Sequence, residues 1–267
     1  MILLSKNSKI LVITSNTRQK FIAEHLKKLN IIIHESDEYV KGDFDIVILP
    51  MAYSKNKEII RSFDGKLIIG GRFKKEDIIL ASELNINLYD YFDNEYVKYE
   101  NAYITAEAAI ALAINNTNKS LRNSKCLITG FGRIGKLLAK LLSVFCNDIT
   151  VSARKDCDLA QINAFGYRCI NTNNISDIND FDLIFNTIPQ IVLDKNILNT
   201  HKKNVLIIDL ASKPGGMDFD YAKENDINYI HALSLPSKIS PETDAEILSK
   251  SIIKILSEGA NYGSFKI

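Results

Sequence analysis

Lys125-Cys126-Leu127-Ile128-Thr129-Gly130-Phe131-Gly132-Arg133-Ile134-Gly135-Lys136-Leu137-Leu138-Ala139-Lys140-Leu141-Leu142 decides the fold. The apolar run Cys126–Thr129 reads as a strand. It feeds a G-x-G-x-x-G, and an amphipathic segment, Ile134 to Phe145, leaves it as a helix. A glycine triplet alone is a weak signal, but this one stands between a strand and a helix, with a second strand, Ile149–Ser152, following at a suitable distance. In that setting Gly130 permits the tight turn, Gly132 lets a pyrophosphate approach the backbone, and Gly135 lets helix and strand pack closely. With Arg133 and Ile134, the helix N-terminus offers backbone N–H groups and a positive dipole end to phosphates.

The same α/β grammar extends in both directions. Downstream, strands are expected at Leu183–Asn186, Val205–Asp209 and Asn228–Ile230, with helices at Asp156–Phe165 and Phe219–Glu224. Upstream, Lys9–Thr14, Ile31–Ile33, Asp45–Pro50, Lys66–Ile69 and Ile86–Tyr89 read as strands, and Arg18–Leu29 as a helix. Near-continuous apolar strands separated by helices indicate parallel sheets covered on both faces. Asn101–Asn116 is alanine-rich and apolar nearly all round, which indicates a buried helix. The expected organisation is a two-domain α/β protein. An N-terminal flavodoxin-like domain (1–100) is joined by a connector helix (101–118) to a Rossmann domain (119–240). The apolar stripe of Pro241–Ser257 is expected to pack back on the first domain as a helix over 241–258, and the end, 259–267, to fray.

Composition narrows the function. The 267 residues are 46% hydrophobic and 24% charged, an ordinary globular balance. No apolar run reaches the roughly 18–20 residues of a membrane span. The net charge of +1 leaves no basic field for nucleic acid. The start lacks the long apolar stretch of a secretory signal. The four cysteines form no C-x-x-C and the four histidines give no zinc spacing, so reduced thiols, a cytoplasmic location and no metal are expected.

The second Rossmann strand ends in Val151-Ser152-Ala153-Arg154-Lys155. An NAD site usually presents an acid there to the ribose 2′-OH. Here a hydroxyl, Ser152, and two cations, Arg154 and Lys155, stand instead, which favours NADP over NAD. Asn186-Thr187-Ile188-Pro189 closes the next strand, where cofactor riboses lie. Asp209-Leu210-Ala211-Ser212-Lys213-Pro214-Gly215-Gly216 closes the one after, with Asp209 and Ala211 toward the cofactor and Lys213 toward the nicotinamide. The paired glycines read either as backbone near a ligand or as a plain loop. His231, after the last short strand, reads either as a general base or as a structural histidine.

These motifs, taken with Thr14-Ser15-Asn16-Thr17-Arg18-Gln19, Ile48-Leu49-Pro50, Asn101-Ala102-Tyr103-Ile104-Thr105-Ala106-Glu107 and Pro241-Glu242-Thr243, carry a resemblance. They are similar to the A-subunit family of dipicolinate synthases of endospore-forming bacteria, and the resemblance runs from the first strand to the final helix. Gly130–Gly135 looks like its G-x-G-R-x-G, Asn186–Pro189 its NTIP, and Asp209–Gly216 its DLASxPGG. The chain departs from the pattern at Ser15-Asn16, Ile104, Ser234, Ser237 and Asp244-Ala245, where the family has glycines, a proline, two glycines and Ala-Gly.

The resemblance implies NADP-dependent oxidation of a dihydrodipicolinate-type intermediate of the lysine pathway to pyridine-2,6-dicarboxylate during sporulation, in the mother-cell cytoplasm. It also implies a partner, a flavoprotein-like B-subunit, and the chain is expected to self-associate. Alternatives are another two-domain dehydrogenase, such as a 2-hydroxy-acid enzyme, and a nucleotide-binding regulatory protein without turnover. A dicarboxylate substrate calls for cations and hydroxyls at strand ends. Arg18 and Thr105 are the first candidates, with Thr17 and Ser212. Glu107 reads either as an orienting or basic carboxylate, alongside Lys213 and His231 in catalysis, or as a first-turn helix acid.

Overall fold

The structure, a computed structural model, describes residues 8–65, 67–200 and 204–258. Two expectations fall outside this range: a strand start at Lys66 and the fraying of 259–267. The chain divides into two compact units, residues 1–101 with 240–267, and residues 102–239.

The first unit is a five-stranded parallel sheet. In chain order its elements are β1 (Ile10–Ile13), α1 (Thr17–Lys28), β2 (Ile33–Ser36), β3 (Ile46–Met51), α2 (Asn56–Ser62), β4 (Leu67–Gly71), α3 (Lys75–Glu83) and β5 (Asn87–Asp90). The order β2-β1-β3-β4-β5 is the flavodoxin-like one expected from the sequence. Leu11, Ile13, Val47, Leu49 and Ile68 point to one face and pack with Ile59 and Ile60 of α2 and Ala81 of α3. The alternate residues Ile10, Val12, Ile46 and Ile48 are buried on the other face. α1 packs there against the last helix of the chain, α10 (Pro241–Glu258). The second strand lies two residues later than expected. Ile31 closes the α1 turn through its N–H to the Leu26 carbonyl, Asn30 is left-handed at φ 59°, and Ile32 is 72% exposed.

The connector is longer on its N-terminal side than expected. α4 runs Glu95–Asn116, and the Asn94 side chain accepts from the Tyr96 N–H at 2.9 Å. Glu107 therefore lies in mid-helix, and its reading as a first-turn acid is overturned.

The second unit is a six-stranded parallel sheet. Its elements are β6 (Lys125–Thr129), α5 (Arg133–Leu142), β7 (Asp148–Ala153), α6 (Asp156–Ala164), β8 (Arg168–Asn171), β9 (Leu183–Asn186), α7 (Lys195–Leu198), β10 (Leu206–Asp209), α8 (Phe219–Glu224), β11 (Tyr229–His231) and α9 (Leu235–Ile239). The order β11-β10-β9-β6-β7-β8 is the Rossmann arrangement. Ala109 and Ala113 of α4, Leu138 and Leu142 of α5 and Ile162 of α6 pack on one face with Cys126, Ile128 and Val151. Leu198 and Ala222 cover the other face with Leu127, Ile184 and Ile207. β8, α7 and α9 were not anticipated: β8 is a half-exposed edge strand, and α7 and α9 are only four and five residues long.

Ser234 stands at φ 58° and is exposed. A non-glycine residue in this left-handed region is strained by about 1 kcal/mol. Ser234→Gly is expected to raise stability by roughly 0.5–1 kcal/mol. Thermal and urea denaturation measure this, and a lowered midpoint would contradict the assigned backbone.

Candidate functional site

The turn after β6 has the geometry of a phosphate cradle. Gly130 lies at φ +93°, and its N–H donates to the Ser152 carbonyl at 3.0 Å. A Cβ on Gly130 would lie 2.6 Å from Thr187 Oγ1, and one on Gly135 would lie 2.1 Å from the Gly130 carbonyl oxygen. These two glycines serve the close packing of the turn. Gly132 is different. It caps α5, is exposed, and a Cβ there would meet nothing within 4 Å. The open space above Gly132 and the backbone N–H groups of the first α5 turn suit the pyrophosphate of a dinucleotide. Arg133 is exposed beside it and Ile134 is half-buried.

The neighbouring strand ends are joined by side chains. Asn186, buried, accepts from Thr129 Oγ1 and from the Ile188 N–H. Its amide donates to the Ile188 carbonyl at 3.0 Å and to Asp209 Oδ1 at 2.9 Å. Asp209, also buried, accepts from the Ala211 N–H at 2.9 Å and the Gly216 N–H at 2.8 Å. Thr187 Oγ1 donates to the Thr129 carbonyl at 2.8 Å. Asn186, Thr187, Asp209 and Ala211 were expected to touch the cofactor. The structure corrects this for Asn186 and Asp209, whose polar atoms are engaged within the protein and hold the loops. A Cβ on Gly216 would lie 2.1 Å from Asn186 Nδ2, so that glycine serves this packing too. Pro189, Ser212 and Lys213 are exposed on the loops so held.

At the end of β7, Arg154 and Lys155 are exposed. Ser152 is corrected. It lies inside the strand, buried, with its hydroxyl accepting from Thr172 Oγ1 at 3.0 Å. His231, at the end of β11, stacks on Phe219 with ring centroids 4.5 Å apart, and its buried Nε2 has no hydrogen-bond partner among the described residues.

In the first unit Thr17 is exposed on the first turn of α1. Arg18, expected on a substrate carboxylate, donates from Nη1 to Asp244 Oδ2 of α10 at 3.0 Å. Their side chains are 11% and 1% exposed. Beside them Gln19, buried, donates to the Leu49 carbonyl at 3.0 Å, and the Tyr91 hydroxyl donates to the same oxygen at 3.2 Å. Burial pushes the Tyr91 phenol well above its ordinary range. Sequence reasoning missed Gln19, Tyr91 and the Asp244 pairing. The available signal was an acid one turn before Leu248 in the apolar stripe of the last helix. Thr105 is buried in α4, and Glu107 is exposed. Among the described residues no cluster of His, Cys, Asp and Glu could hold a metal, and no helix is long and apolar enough to cross a membrane.

No family model matches the sequence. A curated relative does: the dipicolinate synthase A-subunit of Bacillus subtilis (strain 168) is 32% identical over 180 residues, 67% of this chain. This chain is a relative of the dipicolinate synthase A-subunit. The match spans 61% of that protein's length. The fold agrees over more of the chain. The crystal structure of the dipicolinate synthase A-subunit from Bacillus halodurans superposes with a TM-score of 0.83 at 23% identity, covering 95% of this chain and 99% of that one. The crystal structure of its Bacillus subtilis counterpart gives 0.81 at 26% identity, with coverage of 96% and 98%.

The glycines lead to one prediction. Gly132→Ala is expected to keep the wild-type melting temperature and weaken dinucleotide binding at least about tenfold by filling the phosphate's place. Gly135→Ala is expected to lose about 1–3 kcal/mol of stability through the clash with the Gly130 carbonyl. Differential scanning fluorimetry and calorimetric titration separate the two; equal loss of stability in both would contradict the division of tasks.

Asp244 leads to a second. Burial raises its pKa above the ordinary 3.8, with Arg18 opposing the shift. A carboxyl raised in the folded state binds its proton more tightly there, so its stability contribution is greatest below the unfolded value and is lost as pH rises through the folded one. The stability of wild type minus Asp244→Asn should therefore fall as pH rises from the ordinary carboxylate range through the raised folded value, as urea denaturation would measure. A rising difference would contradict it.

Proposed function

We propose that the chain is a dipicolinate-forming oxidoreductase subunit that uses NADP. The observation that carries this reading is the open Gly132 cradle in a chain related throughout its fold to the dipicolinate synthase A-subunit. The substrate is a dihydrodipicolinate-type ring. It loses a hydride from one ring carbon and a proton from another ring atom to give pyridine-2,6-dicarboxylate. Bound oxidised nicotinamide supplies the hydride acceptor. Because the product is aromatic, the chain's main task is to position the ring.

Gly132 and the first turn of α5 would hold the pyrophosphate. Arg154 and Lys155 would hold the 2′-phosphate, the guanidinium through a charge-assisted contact. Asn186 and Asp209 keep the loops carrying Pro189, Ser212 and Lys213 in place. Arg18, Thr17, Thr105 and Ser212 are the proposed contacts to substrate carboxylates. Lys213, His231 and Glu107 are the proposed candidates to take the ring proton. The reading extends to self-association and to a flavoprotein-like B-subunit partner in the mother-cell cytoplasm of a spore former.

An absorbance assay at 340 nm, with the lysine-pathway intermediate and with or without the B-subunit, tests the activity. Reduction of NADP dependent on that intermediate is expected; turnover of a 2-hydroxy acid instead, or of nothing, would overturn it. NADP is expected to bind more tightly than NAD by roughly ten- to 150-fold, from one charged contact of about 1.5–3 kcal/mol. Arg154→Asp reverses that order. Calorimetric titration of both dinucleotides checks it, and tighter NAD binding by wild type would refute the preference.

A further inference from the structure

The carboxyl edge of the first sheet carries two guanidinium groups, and one of them is already matched by a carboxylate of the same unit. Arg18 pairs with Asp244 at 3.0 Å. Arg72, left-handed at φ 59°, follows β4 and lies over the Phe92 ring, 4.7 Å from its centroid. Its backbone N–H donates to Asp90 Oδ2 at 2.6 Å, and the same carboxylate accepts from the Phe73 and Phe92 N–H groups. Asn101 of α4 and the Arg72 charge further stabilise the Asp244 anion. The Arg18 charge is thus balanced by Asp244 before any ligand arrives.

Asp244 differs from Asp90 in its task. Asp90 accepts from three backbone N–H groups and closes a turn, as a strand-end acid commonly does. Asp244 is buried and meets Arg18 through a single guanidinium nitrogen. Arg18 Nε, also buried, has no hydrogen-bond partner among the described residues. A guanidinium binds a carboxylate most strongly through two parallel N–H groups, and the Asp244 contact uses one. Asp244 thus cancels the Arg18 charge without saturating its donors.

We propose that Asp244 is a specificity-determining counter-ion, which occupies Arg18 in place of a ligand carboxylate and so holds down the affinity of the first unit for dianions. The inference rests on the reading of Arg18 as a substrate-carboxylate contact. Two buried carboxylates beside one guanidinium repel each other, so a dianionic ligand binds against the field of Asp244. Removing that charge while keeping the side-chain shape leaves Arg18 uncompensated, a state that an incoming carboxylate relieves.

The test is calorimetric titration of pyridine-2,6-dicarboxylate and of the monoanion pyridine-2-carboxylate into the full-length chain. The proteins are wild type, Asp244→Asn, Arg18→Ala and the double variant, with thermal melts to establish folding. Asp244→Asn is expected to bind the dianion at least tenfold more tightly than wild type, with a smaller gain for the monoanion. The double variant is expected to show no gain over Arg18→Ala. If Asp244→Asn does not fold, Asp244→Ser is titrated in its place with the same expectation. Unchanged or weaker dianion binding by the folded variant overturns the proposal, because a purely structural Asp244 gives no gain. A gain that survives in the double variant also overturns it. Dianion binding undiminished by Arg18→Ala would instead defeat the reading of Arg18 as a substrate contact.

Discussion

Asp209 is a carboxylate buried at the end of an interior strand, and the loops of the second unit are arranged to keep it satisfied. A charge in that position is tolerated only when donors surround it. Asn186 supplies one, and the Ala211 and Gly216 N–H groups supply the others. Those donors come from the ends of neighbouring strands and from the loop after β10, so satisfying one carboxylate fixes several loops together. Gly216 is part of the same constraint, since any side chain there would enter the space of Asn186. The exposed residues that could meet a ligand, Ser212 and Lys213 among them, are carried by loops anchored in this way.

The sheets and their strand orders were legible because buried parallel strands leave an unambiguous mark, the uninterrupted runs of Ile, Leu and Val. What escaped was short, polar or at an edge. β8 presents Arg168, Cys169, Ile170 and Asn171 to a half-exposed margin, so burial imposed no pattern on it. The start of α4 was missed because Glu95, Lys98 and Glu100 carry no apolar stripe, and the helix there depends on packing and on the Asn94 cap.

The candidate site was legible in a different proportion. Its glycines could be assigned because each answers a backbone requirement that sequence order expresses. Ser152 and Asp209 could not, because whether a polar side chain at a strand end turns inward or outward depends on neighbours from distant parts of the chain. Thr172 claims the Ser152 hydroxyl from 20 residues away, and Arg18 finds Asp244 across 226 residues. Pairings over such separations leave no trace in local spacing. The departures from the family pattern at Ser234 and Asp244 were visible as letters, but only the structure reveals that one falls at a left-handed φ and the other on a buried cation.

The return of α10 to α1 also orders events during synthesis. The second unit is continuous in sequence, from 102 to 239, whereas the first is completed by residues that follow it. Until α10 has been made, Ile22 and Leu26 of α1 lack the helix that packs against α1, and Arg18 lacks its counter-charge. At translation rates of about 5–20 residues per second, that interval lasts roughly 10–50 seconds. The nascent N-terminal segment is therefore a waiting half-core with an apolar helix face uncovered, while the later-made unit can already have closed. A ribosome that stalls before residue 240 releases a chain in which the unit made first is the one left unfinished.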